Sequence, residues 1–351
     1  SRFAILVSVV LNCFIIFEYS RIGPLNKLVD ARVSGSITLL DKHGQVFAWR
    51  GNQFGGAITA NVVSPHLKNA VVAAEDRRFY KHFGISPRGI ASAISINIRE
   101  GRSPLSGHGG STITQQVAKI LCLGTNFDPS NGLSEADFEK ECRKNSIVRK
   151  LREIPFSIAM ELKFSKDEIL MIYLNRAYLG AGNQGFEAAS RRYFDKSAMY
   201  LNPSESAMLA GLLVAPSYFA PTRNLQRAQE RAAVIIDLME KENYLTKDVA
   251  LTSKKYPAKL SSTAKEQFGG YFADWVSKSS PSFFTQKANA DIYVKTTFDT
   301  TIQKAAEDVL RDTFDNKIAK ESEVQVAVVV MSSDGAVRAM IGGRDTRVSG
   351  Q

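Results

Sequence analysis

Residues 64–84 read "SPHLKNAVVAAEDRRFYKHFG". Ser64 suits a helix N-cap and Pro65 the first helical position. Leu67, Ala70, Val71 and Ala74 recur at helical spacing and mark a buried stripe. Continued on that helix, Glu75, Phe79 and His82 stand at intervals of four and three, on one face. Arg77, Arg78 and Lys81 flank them. From here to about residue 245 the pattern is helix after helix. "SKDEILMIYLN" opens on a capping box, Ser165 with Glu168. "NPSESAMLAGLLVAP" has Asn202 as cap, Pro203 inside and Pro216 as a stop. The expected fold class is mainly α, over residues 63–248.

Upstream, "SITLLDKHGQVFAW" alternates and turns at Asp41 to Gly44, so residues 21–62 read as a β-hairpin linker region with His43 in the turn. "FAILVSVVLNCFIIF", Phe3 to Phe17, carries no charge between Arg2 and Glu18. A full span needs about 20 apolar residues, and no small-residue cleavage site follows. The expectation is an uncleaved transmembrane anchor over 1–20, with a buried core helix as the alternative. Downstream, Tyr244 is followed by a Lys- and Ser-rich connector, placed at 249–290. The texture changes at Asp291: "IYVKTTF" reads as a strand, "TTIQKAAEDVLRDTF" as a helix, and "VQVAVVVMSSDGAVRAMIGG" as two strands. Residues 291–351 are expected to be a partial α+β piece that begins a second domain.

The 351 residues are 44% hydrophobic and 23% charged, which excludes a disordered chain. The net charge of +10 suits a nucleic acid, an anionic membrane surface or a phosphate-bearing substrate. A domain anchored outside the cell removes nucleic acid from that set. Of the three cysteines, Cys122 and Cys142 bracket a polar, turn-rich stretch. Outside the cytoplasm they could close a disulfide; two independent buried thiols remain the other possibility.

Three stretches carry chemistry. Glu75 is either a functional acid in a cleft or one end of a structural ion pair. "GHGGSTITQQVAK" is a glycine run that ends in Ser111 and Thr112 and then a helix, with Thr112 and Gln115 spaced as a capping box. Glycine lets backbone approach a ligand closely, and a helix start attracts an anion. Lys119 adds a full charge, while His108 reads as a flank of the loop. An ordinary capped helix after a surface loop would look the same. "RKNSIVRKLRE" gathers Arg143, Lys144, Arg149, Lys150 and Arg152 and closes on Glu153. An Arg149–Glu153 pair one turn apart is worth only about 0.2–0.5 kcal/mol; the functional alternative is a basic wall for a diphosphate. Pro155 should bend the helix beside Glu153.

Taken in order, "EDRRFYKHFG", "GGSTITQQ", "RKLRE" and "KDEILMIYLN" resemble the motifs of the peptidoglycan glycosyltransferases of glycosyltransferase family 51. Those form the N-terminal module of class A penicillin-binding proteins, and "GAVRAMIGG" resembles the entry to their transpeptidase domain. The resemblance implies a lysozyme-like fold that polymerises lipid II into a growing glycan chain at the outer face of a bacterial inner membrane, in contact with other cell-wall synthesis proteins. It implies Glu75 as general base on the acceptor hydroxyl and Glu153 as a second acid serving the diphosphate. Asp76, Phe79, His82, Ser111, Thr112, Gln115, Gln116, Lys119, Arg149 and Lys150 match positions lining the substrate cleft, and a divalent cation, Mg2+ or Mn2+, assists in the family. Asn145 departs from the pattern, standing where the family usually has arginine. A lysozyme-like glycan hydrolase is the nearest alternative, though hydrolysing a neutral glycan requires neither an anchor nor a bank of cations. The one "S-x-x-K" string, Ser262 to Lys265, precedes the second domain, so this chain is not expected to be acylated by penicillin.

Overall fold

In the computed structural model the described residues are 2–29, 37–50, 53–54, 58–59, 61–103, 110–125, 127–128, 132, 135–144, 146–180, 182–261, 264, 269–279, 292–319 and 322–343. His108, Asn145, Ser262 and Lys265 lie outside them. The chain begins with α1 (Arg2–Arg21) and α2 (Leu25–Val29). A hairpin of β1 (Ile37–Leu40) and β2 (Val46–Arg50) follows, then the short β3 (Gln53–Phe54). The helical body comprises α3 (Pro65–Glu75), α4 (Pro87–Arg99), α5 (Ile113–Ile120), α6 (Glu135–Cys142), α7 (Ile147–Lys163), α8 (Lys166–Arg176), the short strand β4 (Asn183–Gln184), α9 (Phe186–Phe194), α10 (Pro203–Leu212), α11 (Pro216–Phe219), α12 (Leu225–Lys241) and α13 (Lys247–Lys255). Then come α14 (Gly270–Ser279), β5 (Ile292–Lys295), α15 (Thr300–Asn316), β6 (Val328–Met331) and β7 (Val337–Ile341). The architecture is mainly α with small sheets, as the sequence predicts.

Three caps form where the sequence places them, while Ser64 at the start of α3 makes no side-chain cap and donates its hydroxyl to the Leu201 carbonyl at 2.7 Å instead. Thr112 with Gln115, Ser165 with Glu168 and Asn202 with Glu205 each make a reciprocal capping box. Pro216 differs: α10 already ends at Leu212, and the proline opens α11 rather than stopping a helix. The apolar faces of these helices meet in one core. Leu67 and Val71 of α3, Ile113 and Val117 of α5, Phe156 and Met160 of α7 and Ile169 of α8 are all fully enclosed. Each such side chain contributes about 1.5–3 kcal/mol by leaving water. α7 runs through Pro155 without a break.

A second, smaller cluster sits apart from that core. Leu39, Phe47, Phe272 and Phe298 form it, with the Phe47 and Phe298 rings stacked 4.1 Å apart. β1 pairs antiparallel with β2 and parallel with β5. The hairpin assigned from sequence to a separate linker thus shares a sheet with the C-terminal segment. Asp41 builds the hairpin turn, its Oδ1 accepting the amides of His43 and Gln45 at 2.8 Å each.

α1 lies along α7. Glu18, almost enclosed, receives Arg21 at 3.2 Å and Arg152 at 3.7 Å, and Lys163 donates to the Ile22 carbonyl. Ile5, Leu6, Val9, Phe14, Ile16 and Phe17 of α1 are exposed. No helix among the described residues is long and apolar enough to cross a membrane.

Candidate active site

α3 stops at Glu75, so the sequence expectation of one helical face running on to His82 is corrected. Asp76 leaves the helix at φ −158°. Its Oδ2 accepts the Ile113 amide at 3.1 Å and pairs with His82 Nε2 at 2.8 Å. Ile113 is the first residue of α5, where a free N–H and the positive dipole end suit a carboxylate. Phe79 then falls in a 3-10 turn, Phe79–Lys81, that swings its ring into the core. It is fully buried against Tyr80, 5.1 Å away, and under the Lys166 ammonium at 4.6 Å. Expected on the cleft wall, Phe79 instead supports that wall from behind.

Glu75 is oriented by a relay. Gln116 Nε2 donates to Glu75 Oε2 at 2.7 Å, and Tyr173 Oη donates to Gln116 Oε1 at 2.9 Å. Burial pushes the Glu75 carboxyl above the ordinary glutamate value, while the Gln116 hydrogen bond and the Arg231 charge oppose that rise. Burial and then the Glu75 charge push the Tyr173 phenol well up, so it remains a donor. Glu75 and Asp76 line a cleft of about 510 Å³ with Arg78, Ser86, Arg88 and Ser111.

The glycine-rich stretch supplies both structure and contact. Thr112 is 2% exposed, donates to the Gly84 carbonyl at 2.6 Å and caps α5. Gln115 Oε1 accepts the Thr112 amide at 3.0 Å. The side chains of both are committed to the cap, although Thr112 also borders the cleft. Gly84, at φ +77°, lies so near α7 that a Cβ would meet the Ser157 carbonyl oxygen at 2.9 Å. Ser111 stands at the cleft edge and its Oγ accepts Lys150 Nζ at 2.7 Å.

Glu153 is fully enclosed, between Arg149 Nη1 and Lys150 Nζ, the latter at 2.8 Å. Its carboxylate is committed to these two cations and lies behind the cleft; Lys150 links it to Ser111. Arg149 Nε also donates to the Lys144 carbonyl at 2.8 Å. Lys119, half-buried on α5, faces the same bank. Burial first, then Arg149, lowers its ammonium pKa, against the pull of Glu153. α5 therefore contributes Gln116 to Glu75 and carries Lys119 within electrostatic range of Arg149 and Glu153.

Sequence reasoning missed Tyr173 and Arg88. Tyr173 repeats at core spacing on α8, and only its hydroxyl reaches the relay; Arg88 follows a Ser-Pro helix start that carries no chemical signal of its own. Cys122 and Cys142 form a disulfide, whereas Cys13 is free and exposed. Among the described residues no group of three or more His, Cys, Asp or Glu could hold a metal. Asp76 is held by the Ile113 amide and His82, and Glu153 by Arg149 and Lys150.

A half-buried carboxylate oriented by Gln116, in a cleft lined by Arg78 and Arg88, has the parts for general-base chemistry beside an anion. The chain belongs to the transglycosylase family, whose model matches residues 43–240. It is 34% identical over 275 residues to penicillin-binding protein 1A of Aquifex aeolicus, covering 78% of this chain and 35% of that one. It is 30% identical over 303 residues to penicillin-binding protein 1B of Vibrio cholerae, covering 81% and 35%. A crystal structure of penicillin-binding protein 1A from Haemophilus influenzae aligns with a TM-score of 0.43 at 19% identity, over 86% of this chain and 37% of that one. The chain thus spans about a third of the length of the curated relatives it matches.

Proposed function

We propose that this chain polymerises lipid II into glycan strands, with Glu75 as general base and the cations held by Glu153 receiving the departing diphosphate. Glu75 takes the proton of the acceptor 4-hydroxyl. That oxygen bonds to the donor anomeric carbon as the carbon's bond to the diphosphate breaks, and the diphosphate leaves with the electron pair. Direct displacement inverts the anomeric centre, because no glycosyl-enzyme forms. A positioned base is worth about 10²–10⁴ in rate. The leaving group is already an anion, so stabilising its charge is the larger task, and fixed cations perform it. The role of Glu153 is to hold Arg149 and Lys150 at the donor side, not to transfer a proton. No step is routed through a metal.

The observation that carries this reading is the Gln116–Glu75 hydrogen bond, which orients a carboxylate in a cleft lined by Arg78, Arg88 and Ser111, with Ser111 joined through Lys150 to Glu153. The test is lipid II turnover by wild type, Glu75→Gln and Glu153→Gln, with and without magnesium. Glu75→Gln is expected to lose about 10²–10⁴ of the rate; full activity in that variant overturns the reading. We further propose that the exposed apolar residues of α1 seat the chain on the bilayer that carries its lipid substrate. Flotation with lipid vesicles, lost on replacing Ile5, Val9 and Phe14 by serine, checks this. Residues 291–351 are proposed to begin the transpeptidase domain.

A further inference from the structure

α5 brings Lys119 into the site and ends at Ile120. Two residues later Cys122 and Leu123 take left-handed φ values of 50° and 53°, a conformation unfavourable for residues bearing side chains. From Cys122 a covalent bond crosses to Cys142, the last residue of α6, with 5.4 Å between the Cα atoms and a sequence separation of 20. Arg143 follows at once and pairs with Glu139 at 3.1 Å. Lys144 comes next, and its carbonyl holds Arg149 Nε at 2.8 Å. The bridge therefore ties the end of the helix that bears Lys119 to the segment that holds Arg149.

That tie has an electrostatic load to bear. Arg149 and Lys150 both pair with Glu153, Arg143 and Lys119 lie within electrostatic range of them, and burial together with the neighbouring Arg149 charge disfavours the charged form of Lys119. Like charges gathered in a partly dry site repel one another. Glu153 offsets part of that repulsion through its pairs with Arg149 and Lys150. We infer that the Cys122–Cys142 disulfide is a positioning device that holds Lys119 and Arg149 at the spacing a diphosphate needs before the diphosphate arrives. This rests on the reading of those cations as the leaving-group site, and it predicts that opening the bridge weakens anion capture while leaving the Glu75 relay intact.

The test uses the full chain in detergent with Cys13→Ser as background, so that the exposed thiol cannot form bridges between molecules. Dithiothreitol passes two electrons and two protons to the bridge, which opens to two thiols while the reagent closes to its own cyclic disulfide. Calorimetry with inorganic pyrophosphate, well below the melting temperature, is expected to show binding weakened about five- to ten-fold on reduction, as loss of preorganisation requires. Lipid II turnover should show the loss in kcat/KM, through KM for capture of the diphosphate and through kcat for its departure. Cys122→Ser/Cys142→Ser should match the reduced protein and ignore the reagent. Equal pyrophosphate affinity and equal kcat/KM before and after reduction, with only the melting temperature lowered, overturn the inference and leave the bridge a staple for stability. Absence of pyrophosphate binding in the bridged protein overturns it too, since there is then no anion site to order. Bridge-dependent pyrophosphate binding without any lipid II turnover supports the clamp and refutes the glycosyltransferase reading instead.

Discussion

Glu75 has opposite effects on activity and stability, and pH separates them. Burial raises its pKa above the ordinary value of 4.5. The working form is the carboxylate, so kcat/KM should fall as pH drops through that raised value, sooner than an exposed glutamate would allow. Stability follows the other sign. A carboxyl whose folded pKa is raised contributes stability that is full below its unfolded pKa and is lost as pH rises through the folded one. Glu75→Gln should therefore melt above wild type at about pH 7 and level with it at about pH 4, each 1 kcal/mol being worth about 2–4 °C. A variant no more stable than wild type at neutral pH would show that burying the charge costs nothing. Tyr173→Phe probes the relay itself. It deletes the donor to Gln116 Oε1 and frees that amide to turn away from Glu75. Losing a hydrogen bond worth about 1 kcal/mol predicts a roughly five-fold fall in kcat with KM little changed. An unaltered kcat would place the orientation of Glu75 elsewhere.

Among the elements, α5 assigns neighbouring glutamines to different tasks. Gln115 closes the capping box, while Gln116 contacts both Glu75 and Tyr173. Gln115→Ala should cost about 1 kcal/mol of stability, seen as a lowered melting temperature, with kcat within about two-fold. Gln116→Ala should reverse the pattern, lowering kcat several-fold with a small change in melting. Identical profiles for the two would refute the division. The cap was legible in sequence because all its partners lie within four residues, and the same holds for Ser165 with Glu168 and Asn202 with Glu205. The end of α3 was not. Asp76 breaks that helix by reaching the amide of Ile113, 37 residues away, and no local window contains that partner. The composition of the cation bank was legible, since Arg149 and Lys150 stand four and three residues before Glu153. Its attachment to the cleft was not, because it runs from Lys150 to Ser111, 39 residues back.

Over the whole molecule, the sequence order of segments and their packing diverge. Hairpin, helical body and C-terminal strands could each be read locally, but parallel pairing joins Ile37–Leu40 to Ile292–Lys295 across the entire helical body. Nothing in a four-residue strand names its partner, and parallel partners need long connections. The consequence is a molecule with two cores, one behind the site and one around Phe298. Lys42 pairs with Asp299, and Asp41 Oδ2 accepts from Thr300 Oγ1 at 3.1 Å, so the hairpin turn also holds the start of α15. Phe298 is fully buried, stacks on Phe47 and lies 5.0 Å from Phe272. Phe298→Ala should remove about 3–5 kcal/mol from this cluster by leaving a cavity. Because the larger core shares none of these rings, calorimetry should resolve an early transition for the small cluster and an unshifted one for the helical body. Glycosyl transfer at 25 °C should stay within about two-fold of wild type, since no group of the Glu75 relay or the cation bank touches Phe298. A single transition that moves as a unit would show that the sheet and the helical body unfold together, and the catalytic cleft would then depend on strands at both ends of the chain.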